Sequence, residues 1–113
     1  MIETTILNHL MNTLEMNDVY MEVPDDPPAS FIVVEKTGGG ETNQISNSTF
    51  AVQSYGPSLL AAANLNSVVK EAMKTLPTNP DVAACSLETD YNFTDTETKR
   101  YRYQAVFDIT HYE

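Results

Sequence analysis

The sequence predicts one α+β domain spanning residues 1–113, with two helices packed on a mainly antiparallel or mixed sheet of about five strands. Three observations lead there. Two segments repeat apolar residues at helical spacing, and several short segments alternate apolar and polar residues or run apolar for five. No internal repeat or linker divides the 113 residues, a length that buries roughly 65% of the unfolded surface in one core. The predicted order is α-β-β-β-α-β-β.

Each element follows from local pattern. Ile2, Ile6, Leu10 and Leu14 recur every four residues, and Leu7 and Met11 widen the stripe, so a helix is expected from about Glu3 to Met16 with Glu3, His9 and Asn12 outward. Asn17-Asp18 breaks it. Val19, Met21 and Val23 alternate with Tyr20 and Glu22 as a short strand that Pro24 ends. PDDPP (24–28) is a rigid connector, because its prolines lack the donors that a helix interior or central strand requires.

FIVVE (31–35) is apolar on both faces and predicts a central strand covered on both sides. KTGGGETNQ (36–44) then reads as a flexible loop before a second strand, Thr49–Tyr55. Gly56-Pro57-Ser58 opens the second helix, with proline in its tolerated first turn. Its expected buried face is Ala61, Leu65, Val68, Ala72 and Leu76, with Asn66, Lys70, Glu71 and Lys74 in water. Pro77 and Pro80 stop it. In the closing hairpin, Cys85, Leu87, Thr89, Tyr91 and Phe93 share one face of the first strand. Tyr101, Tyr103, Ala105, Phe107 and Ile109 share one face of the second, with the polar Thr94–Thr98 between them.

Charge limits the function classes. Sixteen acidic and six basic side chains give a net −10, and no Lys or Arg precedes Lys36. Such a chain repels nucleic acid and offers no general attraction to anionic lipid. The single cysteine, Cys85, excludes an internal disulfide framework and a multi-thiolate zinc site. No apolar run approaches the roughly 18 residues of a membrane span, and the N-terminus has no basic leader, so a soluble protein of a reducing cytosol is expected.

The chemistry motifs fail on their own terms. A Walker loop needs glycine followed by Lys-Ser or Lys-Thr, whereas here Lys36 precedes the glycines and Glu41 follows them. Asp90-x-Asn92-x-Thr94 starts like a calcium loop, but Asp95 stands where glycine is required and Tyr101 where glutamate is. Cys85 falls among apolar residues as a structural thiol. His9 and His111 stand at opposite ends of the sequence, and Asp25-Asp26 sits among prolines in a solvated loop. No catalytic, cofactor or metal set emerges, and an enzyme is not expected.

Lys99, Arg100 and Arg102 place half of the basic residues within four positions. They read either as a solvated cationic edge that discourages sheet pairing or as a patch that meets the acidic surface of another copy.

Six stretches stand out together: the amphipathic first helix, the proline-broken connector, FIVVE with its glycine run, a strand ending in Tyr-Gly-Pro-Ser, a helix beginning LLAAANL, and YNFTDTETKRYRYQAVFDI. In this combination the chain resembles small tail terminator proteins of long-tailed bacteriophages, also called tail-to-head joining, tail completion or minor capsid proteins. The likeness covers nearly the whole chain, as a pattern of elements and residue classes rather than an invariant signature. It implies a structural role: a homo-oligomeric ring, usually a hexamer, that caps the tail tube protein and docks to the head-completion or connector protein. DNA passes through without specific binding. The expected locations are the bacterial host cytoplasm during assembly and then the virion.

A ring closes through two different patches on each subunit. Charge placement nominates Glu15, Asp18 and Glu22 for one, and Lys99, Arg100 and Arg102 for the other. Gly38, Gly39, Gly40 and Glu41 are candidates for a lumen-facing or tube-facing element, with PDDPP as the rival for that position. The alternative to a ring protein is a small acidic binding or inhibitor module acting through its negative surface, although its carboxylates are scattered rather than set in rows.

Overall fold

The computed structural model describes residues 1–42 and 44–112. Helix α1 (Ile2–Leu14) leads to a two-residue strand β1 (Val19–Tyr20), then β2 (Phe31–Thr42), β3 (Ile45–Gly56), α2 (Leu59–Lys74), a 3-10 turn (Leu76–Thr78), β4 (Val82–Asn92) and β5 (Tyr101–Tyr112). The five strands form one sheet in the order β1-β2-β3-β5-β4. Only the β1–β2 pair is parallel. The α-β-β-β-α-β-β order and the mixed sheet are as the sequence predicts.

Both helices cover the same face. Ile2, Ile6 and Leu10 of α1 and Val69, Ala72 and Met73 of α2 join Ile32, Val34, Phe50, Val52, Ala105, Phe107 and Ile109 in one buried cluster. Alternation along each strand sends the neighbouring residues to the opposite, helix-free face. There a small cluster of Phe31, Val33 and Tyr55, backed by Tyr20 and Val23, seals one end of the sheet. Phe31–Val34 are therefore all buried, as an apolar run covered on both sides requires.

Several local expectations are corrected. The strand expected over 19–23 pairs only at Val19 and Tyr20. The glycine run is not a loop: β2 continues through Gly38, Gly39 and Gly40 to Thr42, paired with Thr49, Ser48 and Asn47 of β3, after one bulge at Thr37. Only two residues separate Thr42 from Ile45. Gln44 sits in the left-handed region at φ 68°, while Asn43 lies outside the described residues.

Pro57 stands just before the helix rather than in its first turn. Ser58 is the N-cap, and its side chain accepts from the Ala61 N–H at 3.1 Å. A Cβ on Gly56 would lie 2.7 Å from the Ala62 nitrogen, so glycine there lets α2 begin directly against the sheet.

The buried face of α2 is turned by about one residue. Ala62, Asn66, Val69, Ala72 and Met73 are buried, whereas Val68 is 47% exposed. Asn66 is the reason: its Nδ2 donates to Asp90 Oδ2 at 2.9 Å, and Lys70 Nζ reaches the same oxygen at 2.9 Å. A polar anchor on β4 outweighs the apolar count. On β4 itself, register shifts at Ala83 and Glu88 break the strict alternation. Leu87 pairs with Phe107 on the helix side, while Tyr91 pairs with Gln104 on the other face. His9 does not stand free on a polar face either. Its Nε2 donates to the Ala72 carbonyl at 2.8 Å, tying α1 to the C-terminal turn of α2.

Candidate interaction surface

The helix-free face carries a continuous aromatic and polar chain across four strands. It begins where Tyr20 donates its hydroxyl to Asp18 at 3.0 Å and meets Phe31 edge-on at 6.3 Å between ring centres. Phe31 and Tyr55 stack at 4.3 Å, directly opposite one another on β2 and β3. Arg102 on β5 is opposite Tyr55. Its guanidinium donates to the Tyr55 hydroxyl at 2.9 Å and to the Phe93 carbonyl at 2.6 Å, and lies 4.4 Å from the Phe93 ring centre.

One row further along, Gln53 donates to Gln104 Oε1 at 2.8 Å, and Gln104 donates to the Tyr91 hydroxyl at 2.6 Å. Both glutamines are 8% exposed, and each amide is satisfied by its cross-strand neighbour. This lattice holds the open face rigid without a helix. Tyr91 and Phe93 remain about 40% exposed at its β4 end, in edge-to-face contact.

Acidic groups gather on the same face. Glu88, at the β4 bulge, hydrogen-bonds Asp108, and sharing that bond between two carboxyls raises the Glu88 pKa above the usual carboxylate range. The Thr49 hydroxyl donates to Asp108 at 3.0 Å.

The charged candidates sit at one end of the sheet. Glu15 caps α1 in the left-handed region, Asp18 supports Tyr20, and Glu22 is exposed in the connector. Lys99 (φ 56°) and Arg100 lie in the turn before β5, and with Pro27, Pro28 and Tyr101 they line a shallow cleft of about 180 Å³. The structure thus brings the proline connector beside the cationic turn. Among the described residues the ion pairs are Lys70–Asp90 and Lys74–Glu71, so no carboxylate neutralises Lys99 or Arg100. Arg102 differs, being half-buried and engaged by Tyr55 and Phe93.

The glycine hairpin is at the opposite end. The connector precedes the first residue of β2 and the glycines approach its last, so PDDPP and Gly38–Glu41 cannot occupy the same position in an assembly. Beside the hairpin, a surface groove of about 390 Å³ is lined by Lys36, Gly39, Gly40, Glu41, Asn47 and His111. Ser48 Oγ and His111 Nε2 stand 2.8 Å apart in its floor. The two side chains are each 3% exposed, and their contact satisfies two buried polar groups.

Burial pushes the Cys85 thiol up to about 11, which keeps it protonated and unreactive at neutral pH, as expected of a structural thiol. Among the described residues no three His, Cys, Asp or Glu side chains gather as a metal set, and no helix is long and apolar enough to cross a membrane.

Reading the sequence missed the Gln53–Gln104–Tyr91 row, the Asn66–Asp90–Lys70 anchor and the Ser48–His111 pair. Each joins residues 13 to 63 positions apart, and only the tertiary structure reveals such neighbours. A glutamine inside each of two strongly β-forming segments was the one available signal.

No family model matches the chain, and no curated protein does. Among solved structures, the fold is similar to that of a chain from the virion of a native gene transfer agent particle. The TM-score is 0.66 at 12% identity, over 98% of this chain and 94% of that one.

Proposed function

We propose that the chain is a structural protein of a phage-like virion. In this reading, copies of it cap the end of a tail tube as a ring, a hexamer in the family it resembles, and form the surface that joins tail to head. The observation that carries the reading is a full-length match in fold to a chain of a virion particle, at an identity too low for sequence to have produced it. The resemblance of the sequence pattern to tail terminators points the same way independently.

The protein works by shape and charge rather than catalysis and needs no cofactor. Its partners are copies of itself, the tube protein and the head connector. It assembles in the bacterial cytoplasm and ends in the virion. DNA crosses the ring unbound, kept mobile by a chain of net charge −10.

The two ends of the sheet divide the docking roles. The glycine hairpin with Glu41 serves one neighbour along the tail axis, and the connector with Lys99 and Arg100 serves the other or the acidic Glu15, Asp18 and Glu22 of an adjacent copy. Because Arg102 is engaged internally, Lys99 and Arg100 are the free cations of the patch. Light scattering of Lys99→Glu/Arg100→Glu tests the charge contact. The double variant is expected to lose self-association with its melting temperature unchanged, and assembly equal to wild type would remove the patch from the interface.

A further inference from the structure

The sheet ends in two free edges, on opposite borders and at the same level along the strands. Among the described residues, β1 pairs with β2 only at Ile32 and Val33, so the outer side of β2 from Val34 to Thr42 has no strand partner. Strand β4 is the other border and pairs only with β5. Following the pairing across all four strands places Lys36, Phe50, Phe107 and Leu87 in one row, and Gly38, Thr49, Asp108 and Ser86 in the next. Gly39, Ser48, Ile109 and Cys85 form the third, and Gly40, Asn47, Thr110 and Ala84 the fourth. The free stretch of β2 therefore sits at the same level as the first half of β4, on the opposite border, and the two strands run antiparallel.

The β4 border is weakly defended: Val82–Leu87 contains no charged residue and no proline, and Leu87 is 45% exposed. On the β2 border the defences are Glu35, Lys36, Glu41 and the bulge at Thr37. Edge strands of proteins that act alone carry lysine, proline or a covering element against pairing with another chain.

The glycines add an independent observation. A Cβ on Gly39 would meet the Asn47 carbonyl at 2.9 Å and Lys36 Cε at 3.3 Å, so the fold itself requires glycine there. At Gly38 a Cβ would meet nothing nearer than 3.9 Å, and at Gly40 nothing within 4 Å. None of the three has a positive φ. Glycine weakens a strand, and inside one it often marks a bulge or a site where another backbone approaches closely. The Thr37 bulge adjoins Gly38, whereas among the described residues no atom lies within 4 Å of a Cβ placed on Gly40.

We propose that copies of this chain join edge to edge, with Lys36–Glu41 of one copy laid antiparallel against Val82–Leu87 of the next, so that the sheet continues across subunits. The occupant of each edge is a second copy because the one chain carries both halves of the contact, at matching level and in the required opposite direction. Matching level means that rotation about an axis along the strands brings the edges together with little translation, the condition for a closed ring rather than a filament. The contact uses backbone hydrogen bonds, which suits subunits whose like net charges oppose docking. The inference rests on the reading above that the chain assembles with itself.

The test is a pair of cysteines on the two edges in a Cys85→Ser background, Gly40→Cys with Ala84→Cys. Both positions belong to one row and one face, and Gly40 has room for the side chain. Within one molecule they are three strand spacings apart, about 14 Å, too far for a disulfide. Across an antiparallel contact they come within about 5.5 Å.

Mild oxidation of concentrated protein should give a ladder of covalent oligomers that reduction collapses, with neither single-cysteine variant passing dimer. Ser86→Lys should abolish the ladder with an unchanged melting temperature. Oligomers that form without this cross-link overturn the edge contact and leave the virion reading standing. A protein that is monomeric and uncross-linked at every concentration overturns the edge contact as well, and the virion reading falls only if the protein is also absent from particles.

Discussion

The two halves of β2 are built on opposite principles. Phe31–Val34 are buried on both faces, touching the helices on one side and the Tyr20–Tyr55 cluster on the other. Glu35–Thr42, in the same strand and paired to β3 except at the Thr37 bulge, are exposed throughout and include three glycines. The first half holds the fold together. The second extends the sheet past its core, with residues that lower strand propensity. A stretch that the core does not need, and that composition disfavours, is better explained by what it meets outside the molecule.

That contrast can be broken by substitution. Ile32→Ala removes a fully buried side chain between helices and sheet, and should cost about 2–5 kcal/mol in denaturant unfolding. A loss below about 1 kcal/mol would mean that the first half does not carry the core.

Asp90 marks the boundary, since it shares a row with Val34, the last buried residue of β2. The hydrogen bond from Lys70 holds its carboxyl below the usual range against the opposing effect of burial, and Asn66 adds to it. Asp90→Asn should cost about 1–3 kcal/mol at neutral pH. Because the folded-state pKa is depressed, this stabilisation is complete above the ordinary aspartate range and disappears as pH falls through the lowered native value. The gap between wild type and Asp90→Asn should therefore close in acid, and a gap constant with pH would contradict the assignment.

In the outer half, Gly39→Ala and Gly40→Ala sharpen the comparison. Gly39→Ala forces a methyl against the Asn47 carbonyl and should cost about 1 kcal/mol or more. Gly40→Ala has open space and no positive φ, so it should be neutral or stabilise by about 0.4–1 kcal/mol in the isolated protein. Thermal melts of the two separate a glycine that the fold requires from one that it does not.

How much was legible in the sequence follows from the same physics. The α1 stripe, the buried FIVVE strand and the alternation of β5 were readable because each is a local period that burial enforces. The rotation of α2 was not, because a single Asn66–Asp90 contact overrides several alanines and the partner is 24 residues away. The β4 bulges were invisible because a register shift leaves no local signature, and they moved Tyr91 to the face opposite Leu87. KTGGGETNQ was read as a loop on composition, since glycine disfavours strand. Pairing with β3 overrode that propensity. Among the site candidates, clustering of Lys99 and Arg100 was plain from spacing. The internal engagement of Arg102 required the neighbours Tyr55 and Phe93, one of them 47 residues away.

The central claim is that the chain ends a tail tube as a ring. Electron microscopy of isolated tail tubes incubated with the purified protein tests it most directly. The account predicts a ring of density at one end of each tube, one subunit thick along the tube axis. Bare tube ends at saturating protein would contradict it.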